Sequence, residues 1–250
     1  MNNFSADPMT AYYLLGSVNV ALAGLAALRK TGSGARKFWI AAGICWTLQA
    51  ACYFYTAGLS SLSGVAPTFC LSALVLVLWQ WPNLISDYEA RAARPRINAV
   101  ILGFLAAASL APEPYRNESF MMGYLFAQLF FLSRPLSLGL TLFALGGARD
   151  CLGKDPSPGM LLQSQKTALL AGLIFLGGEI SGCYWGFMGW GTTWRWSGNF
   201  YFSAMLFVLY MMALHVPRSL FSSARAYAWG FFLPLIVAAL AMTLSKVVNL

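Results

Sequence analysis

Apolar stretches close to the length of a membrane span recur along the whole chain, and nothing else in the sequence constrains the fold as much. They fall at 11–28, 38–58, 66–85, 97–112, 119–146, 160–184, 199–216 and 227–246. A bilayer core is crossed by about 20 apolar residues wound as a helix. Inside it each backbone polar group must be bonded internally. The expected fold is therefore all-α: a polytopic membrane protein, a bundle of about eight transmembrane helices, with residues 1–250 as a single domain. The fourth stretch is short, and the fifth is interrupted by Arg134 and Pro135. Composition agrees, since 59% of residues are hydrophobic and only 10% charged, where a soluble domain carries about 25% charged residues.

The charges that remain are informative by position. The first ten residues lack a basic region, and no small-residue cleavage site follows, so the first apolar stretch is expected to stay in the membrane. Loops after stretches one, three, five and seven hold Arg29, Lys30, Arg36, Lys37, Arg91, Arg94, Arg96, Arg149, Lys154, Arg218 and Arg225, with Lys166 on the same side. The opposite side has Arg116, Arg195 and Lys246. Basic residues concentrate on the inner side of a membrane protein. Both termini and the Trp-rich stretch before the seventh span are thus expected outside. The net charge of +8 orients helices; it forms no surface large enough to track nucleic acid. The five cysteines form no CxxC or CxxCH pattern, which excludes zinc-ribbon spacing and covalent haem attachment.

Residues 180–198 (ISGCYWGFMGWGTTWRWSG) hold four of the nine tryptophans, Trp185, Trp190, Trp194 and Trp196, interleaved with Gly186, Gly189 and Gly191. Tryptophan prefers the headgroup level, so an aromatic belt is one reading. A flat aromatic surface, with glycines permitting close backbone approach to a planar ligand, is the other. Arg195 offers a fork of donors to an anionic group, either a haem propionate or a lipid phosphate.

This block resembles the Trp-rich "WWD" signature of the cytochrome c assembly superfamily (CcsA, CcmC and CcmF), W-x-x-x-x-W-G-x-x-W-x-W-D. The matching residues are Trp185, Trp190, Gly191, Trp194 and Trp196, with Ser197 at the place of the Asp. The approach through Gly178, Ser181 and Gly182 is similar to the CcsA lead-in. Weaker likenesses to CcsA follow in the same order along the chain: Ser63 to Pro67 with Leu71, Ser72 and Trp79; Met121, Met122 and Tyr124; Tyr210 to Leu214 and His215; and Val247 to Leu250.

The resemblance implies haem handling in cytochrome c maturation, in a bacterial inner membrane or a plastid membrane. The Trp-rich outer platform would contact haem or a cytochrome partner. It implies haem b as cofactor, a c-type cytochrome or apocytochrome and other membrane subunits as partners, and no activity for this polypeptide alone. In the family, outer and intramembrane histidines ligate the iron. This chain has one histidine, and His215 matches the second intramembrane position. The outer histidine of the fifth span falls near Asn117 or Glu118, and Gln49 and Cys52 stand nearest the first membrane histidine. About 28 Å of helix would separate Trp196 from His215, so His215 cannot serve the Trp-rich face. His215 is either a haem-iron ligand, with Cys52, Met211 or Met212 as candidate partners, or a helix-end residue bonded to a carbonyl or water.

Glu179 and Arg134 lie within spans, where charge is costly and typically faces the bundle and finds a partner. Each is expected to form a salt bridge or packing contact, and Glu179 is also a candidate polar edge for a ligand pocket or a proton relay. No P-loop, zincin helix or Ser–His–Asp set is present. A second reading therefore stands beside haem handling: an accessory or structural subunit of a membrane electron-transfer complex, without cofactor, whose tryptophans meet lipid, quinone or a neighbouring subunit.

Overall fold

A computed structural model describes residues 8–28, 33–58, 62–81, 94–111, 124–153, 158–193 and 198–247, with the backbone alone for 33–36. Nine α-helices follow in order among these residues: α1 (Pro8–Leu28), α2 (Ser33–Ala57), α3 (Val65–Gln80), α4 (Arg94–Ser109), α5 (Leu125–Gly146), α6 (Ala148–Leu152), α7 (Pro158–Trp190), α8 (Gly198–Leu214) and α9 (Ala224–Val247). No strand occurs among the described residues. The all-helical expectation holds, with one helix on each apolar stretch and the short α6 added.

Among the described residues five spans are long and apolar enough to cross a membrane: Pro8–Leu28, Lys37–Ala57, Leu125–Leu152, Pro158–Trp190 and Ala224–Val247. Helices α3 and α8 are apolar but shorter. Helix α3 covers the third stretch as far as Gln80 and α4 starts at Arg94; residues 82–85 of the third stretch lie outside the described residues. The sixth runs on through Trp190, so the first part of the Trp-rich segment is helix and not loop.

The outside of the bundle is apolar, as a lipid-facing surface must be. On α7 the exposed Leu162, Leu169, Leu173, Leu176 and Ile180 follow one another at helical spacing, and Leu233, Val237, Leu240 and Leu244 do so on α9. The opposite face of α7 is small: Ser164, Ala168, Ala171, Gly178, Gly182 and Gly186 are buried. Small residues let membrane helices approach closely, and α7 lies tightly on α5. A Cβ added at Gly182 would meet the Phe130 ring at 2.5 Å, and one at Gly178 would collide with Ser133. Bulky side chains fill the centre, among them Trp46, Phe69, Leu76, Phe143, Phe175, Phe231 and Phe232.

Contacts sort the helix ends into two groups. Tyr12 at the start of α1 donates to Ser109 O at the end of α4 (2.5 Å), and Lys246 at the end of α9 donates to Ser63 O ahead of α3 (3.1 Å). At the other end, Asn98 of α4 donates to Gln80 of α3 (2.7 Å), and Gln165 of α7 to Tyr227 of α9 (2.9 Å). Arg94, expected from sequence as one of the orienting loop charges, is instead buried in the second group. Its guanidinium donates to Gln163, to Ser164 Oγ (2.8 Å) and to Met160 O (3.4 Å), and lies 4.9 Å from the Phe143 ring centroid. It ties α4 to α7 at the end where α5 finishes.

Candidate functional site

The aromatic end is built on the last turns of α7 and the first turns of α5. Trp185 packs on Phe130 and Phe131, with ring centroids 6.3 and 5.8 Å away. Beside it Phe126 and Tyr184 lie 4.3 Å apart. Trp190 meets Trp185 at 5.3 Å with the planes crossed at 71°. The two indoles are therefore edge to face, a favoured aromatic geometry, and this pair does not form the single flat surface that the spacing suggested. Trp190 is 48% exposed, and Tyr184, Phe187 and Met188 around it are similarly open. Trp194, Arg195 and Trp196 lie outside the described residues, as do Met121, Met122, Asn117 and Glu118.

Two glycines have specific work here. Gly191 has φ +72°, a left-handed conformation that favours glycine, and its N–H bonds Phe187 O at 2.8 Å. That is the usual way a glycine closes a helix. At Gly186 an added Cβ would come within 3.3 Å of Thr192 O, so the chain beyond Gly191 folds back against the helix it has just left.

Below the tryptophans lies the charged pair. Arg134 Nη2 stands 2.5 Å from Glu179 Oε1, yet that oxygen has no aligned hydrogen bond. Coulomb attraction joins them across α5 and α7. Arg134 Nη2 also donates to Ser203 Oγ of α8 (2.7 Å), and the guanidinium lies 4.8 Å from the Phe130 centroid and 4.9 Å from that of Phe175. Phe130 thus touches Arg134 as well as Trp185. Glu179 is thus paired with Arg134 across α5 and α7.

His215 is elsewhere. It follows the last residue of α8, is exposed, and its Nδ1 lies 3.1 Å from Met211 O one turn back. Leu214 beside it packs near Gly172, about 20 Å of helix from Gly186 at 1.5 Å per residue. The single histidine and the aromatic end are therefore apart, as expected. Among the described residues no three of His, Cys, Asp and Glu cluster in a way that could hold a metal ion, and the five cysteines are free thiols. The exposed aromatic faces suit stacking against a planar ring. A resident histidine-ligated haem does not fit this end, because the chain brings no imidazole to it.

Two buried polar clusters were not assembled by the sequence reading, although it named Tyr210 and Gln49 on other grounds. Tyr210 of α8 shares hydrogen bonds with Ser137 (2.7 Å) and Thr141 (2.6 Å) of α5, and Ser137 also bonds Ala171 O (3.0 Å). Asn19, Gln49 and Ser109 link α1, α2 and α4. The available signal was the polar residue inside an apolar span, which rarely faces lipid.

Fold and surface together define an all-helical integral membrane protein with an aromatic cluster at one end of its bundle. Compared with known families and curated proteins, the chain matches no family model and no curated sequence.

Proposed function

We propose that this chain is a CcsA-like haem-handling membrane protein of cytochrome c maturation. In this reading its eight longer helices cross the bilayer, both termini lie outside, and the Trp-rich end contacts haem or a c-type cytochrome or apocytochrome partner. One observation carries the reading: Trp190, with Tyr184, Phe187 and Met188, is held open to the surroundings at the end of α7, on a rigid base of Trp185, Phe130 and Phe131. A group of solvent-reaching aromatics on a fixed support is the kind of surface that anchors a partner. Iron ligation belongs to the partner chain, and the contribution here is contact and orientation.

The test is a Trp190→Ala/Phe187→Ala variant expressed in its native host. Covalently haem-bearing cytochrome c in the membranes should fall several-fold while the variant accumulates normally. Unchanged cytochrome levels would leave the aromatic belt as the sufficient explanation.

A second reading, an accessory subunit of a membrane electron-transfer complex, is favoured by His215, whose ring bonds its own helix at an exposed end. Absorbance of the native complex separates the two. A Soret band with cytochrome assembly partners supports haem handling, and respiratory subunits without a Soret band on this chain support the accessory role.

A further inference from the structure

Along its first turns α9 exposes side chains in the order of a phospholipid's parts. Arg225, Trp229, Leu233 and Val237 recur every four residues, and all are exposed, Trp229 to 45% and Leu233 to 56%. Residues four apart share a helix face, and each lies about 6 Å further along the axis than the one before. A cation therefore stands at the helix start, an indole one turn below it, and aliphatic side chains below that. Indoles settle at the headgroup level of a bilayer. That level places Arg225 among the phosphates, with Leu233 and Val237 against acyl chains.

The way the chain enters α9 keeps this face open. Ser223 Oγ accepts from the Ala226 N–H (3.1 Å) and fixes the turn that carries Arg225. Just before it, Leu220 N–H donates to Pro217 O (3.2 Å), which folds the connection from α8 tightly. Phe221 then packs on Tyr227, ring centroids 6.1 Å apart, and a Cβ added at Gly230 would meet the Phe221 ring at 2.6 Å. With successive residues about 100° apart around the axis, Tyr227 and Gly230 lie on another side of α9 from Arg225 and Trp229. Phe221 thus pins the connection away from the stripe.

Charge selects the headgroup. Residues 215–229 contain Arg218 and Arg225 and no acid. Arg149 and Lys166 are exposed at the same end of the bundle, and Asp150 there accepts from the Arg94 N–H (3.2 Å). Among the described residues neither Arg218 nor Arg225 enters an ion pair. An arginine fork meets a phosphate through two parallel N–H bonds. Phosphatidylcholine offers that phosphate with a cation attached, which the positive end of the bundle repels; a headgroup of net negative charge carries no such cation.

We infer that the face of α9 from Arg225 to Val237 binds one anionic phospholipid, its phosphate on the Arg225 guanidinium and its chains along Trp229 and Leu233. This site is independent of the aromatic end of α7 and of any haem.

Trp229 serves as the reporter of its own occupant. The full chain is placed in nanodiscs of phosphatidylcholine with rising fractions of phosphatidylglycerol, and in paired samples one or the other lipid carries brominated chains, which quench a tryptophan they touch. The same series with Trp229→Phe, subtracted, isolates the Trp229 signal from those of the other tryptophans. Phosphatidylglycerol should be preferred at Trp229 by at least ~5-fold, the scale of one basic residue at an anionic surface. Arg225→Gln, a change at an exposed position, should remove that preference, and Arg218→Gln, off the stripe, should reduce it less. Equal quenching by the two lipids in the parent overturns the inference. So does a preference that survives Arg225→Gln, or that falls further with Arg218→Gln, since the charge of that end would then act without a site. Loss of the preference on adding inorganic phosphate, but not sodium chloride of equal ionic strength, overturns it as well, the arginine then taking a free anion in place of a lipid.

Discussion

Arg134 and Glu179 show what a residue can reveal inside a membrane and what it cannot. Each stood out in the sequence as a charge in an apolar helix that had to find a partner, but nothing in the sequence sets the register between α5 and α7, so their pairing with each other was not legible. The same holds for Asn19 and Gln49, whose contact depends on how α1 lies on α2. Trp185 and Trp190 were legible as a cluster. Their crossed planes were not, because α7 continues as helix through Trp190 and its turn angles the two rings apart. The pair of charges makes a direct prediction. Arg134→Leu leaves Glu179, 18% exposed, without its cation, and loss of one member of a buried pair costs about 3–5 kcal/mol. Arg134→Leu/Glu179→Leu, with no buried charge left over, should regain most of that stability. Unfolding in a fixed detergent mixture measures both, and a double variant no more stable than the single would show that the charges matter for something other than each other.

At the scale of elements, the α5–α7 contact rests on small residues meeting bulky ones: Gly178 against Ser133 and Gly182 against Phe130. Adjacent glycines on α7 should therefore behave in opposite ways. A methyl at Gly178 has no room unless α5 and α7 separate, and overpacking of this kind costs about 1–3 kcal/mol. At Gly177 an added Cβ meets nothing within 4 Å, and alanine there should be neutral or stabilising by up to about 1 kcal/mol, the difference in helix propensity. Thermal unfolding of Gly178→Ala beside Gly177→Ala reads this out; equal effects would mean that α7 does not sit on α5 in this register. The existence and order of the helices were plain from apolar length, since burial in lipid leaves the backbone no other choice. Their ends were less plain. The sixth stretch ends by hydropathy at 184, whereas α7 runs on to Trp190, and Arg94 looks like a loop charge in sequence although it is a buried clasp between α4 and α7.

For the whole molecule, two independent patterns agree on which helix ends belong together. One is charge: twelve of the sixteen Lys and Arg residues fall on one side of the alternating spans. The other is contact, which joins the start of α4 to the start of α7 through Arg94 and the start of α7 to the start of α9 through Gln165 and Tyr227. It joins the start of α1 to the end of α4, and the end of α9 to the start of α3, at the opposite end. Arg149, Arg218 and Arg225 then lie with the first group, and the Gly191 turn with the second. Since Lys and Arg are retained on the inner side, the aromatic end should face outward, as the proposed function requires. The check uses single cysteines in a chain whose five native cysteines are replaced by alanine. Thr193→Cys and Leu220→Cys both sit at exposed positions, one beyond each end of α8. A membrane-impermeant maleimide added to right-side-out cells or organelles should label Thr193→Cys at once, and Leu220→Cys only after the membrane is opened. Labelling of Leu220→Cys from outside with Thr193→Cys protected would invert the molecule and put the aromatic end out of reach of any outer partner; labelling of both without opening would mean that α8, the one helix between them, does not cross the bilayer.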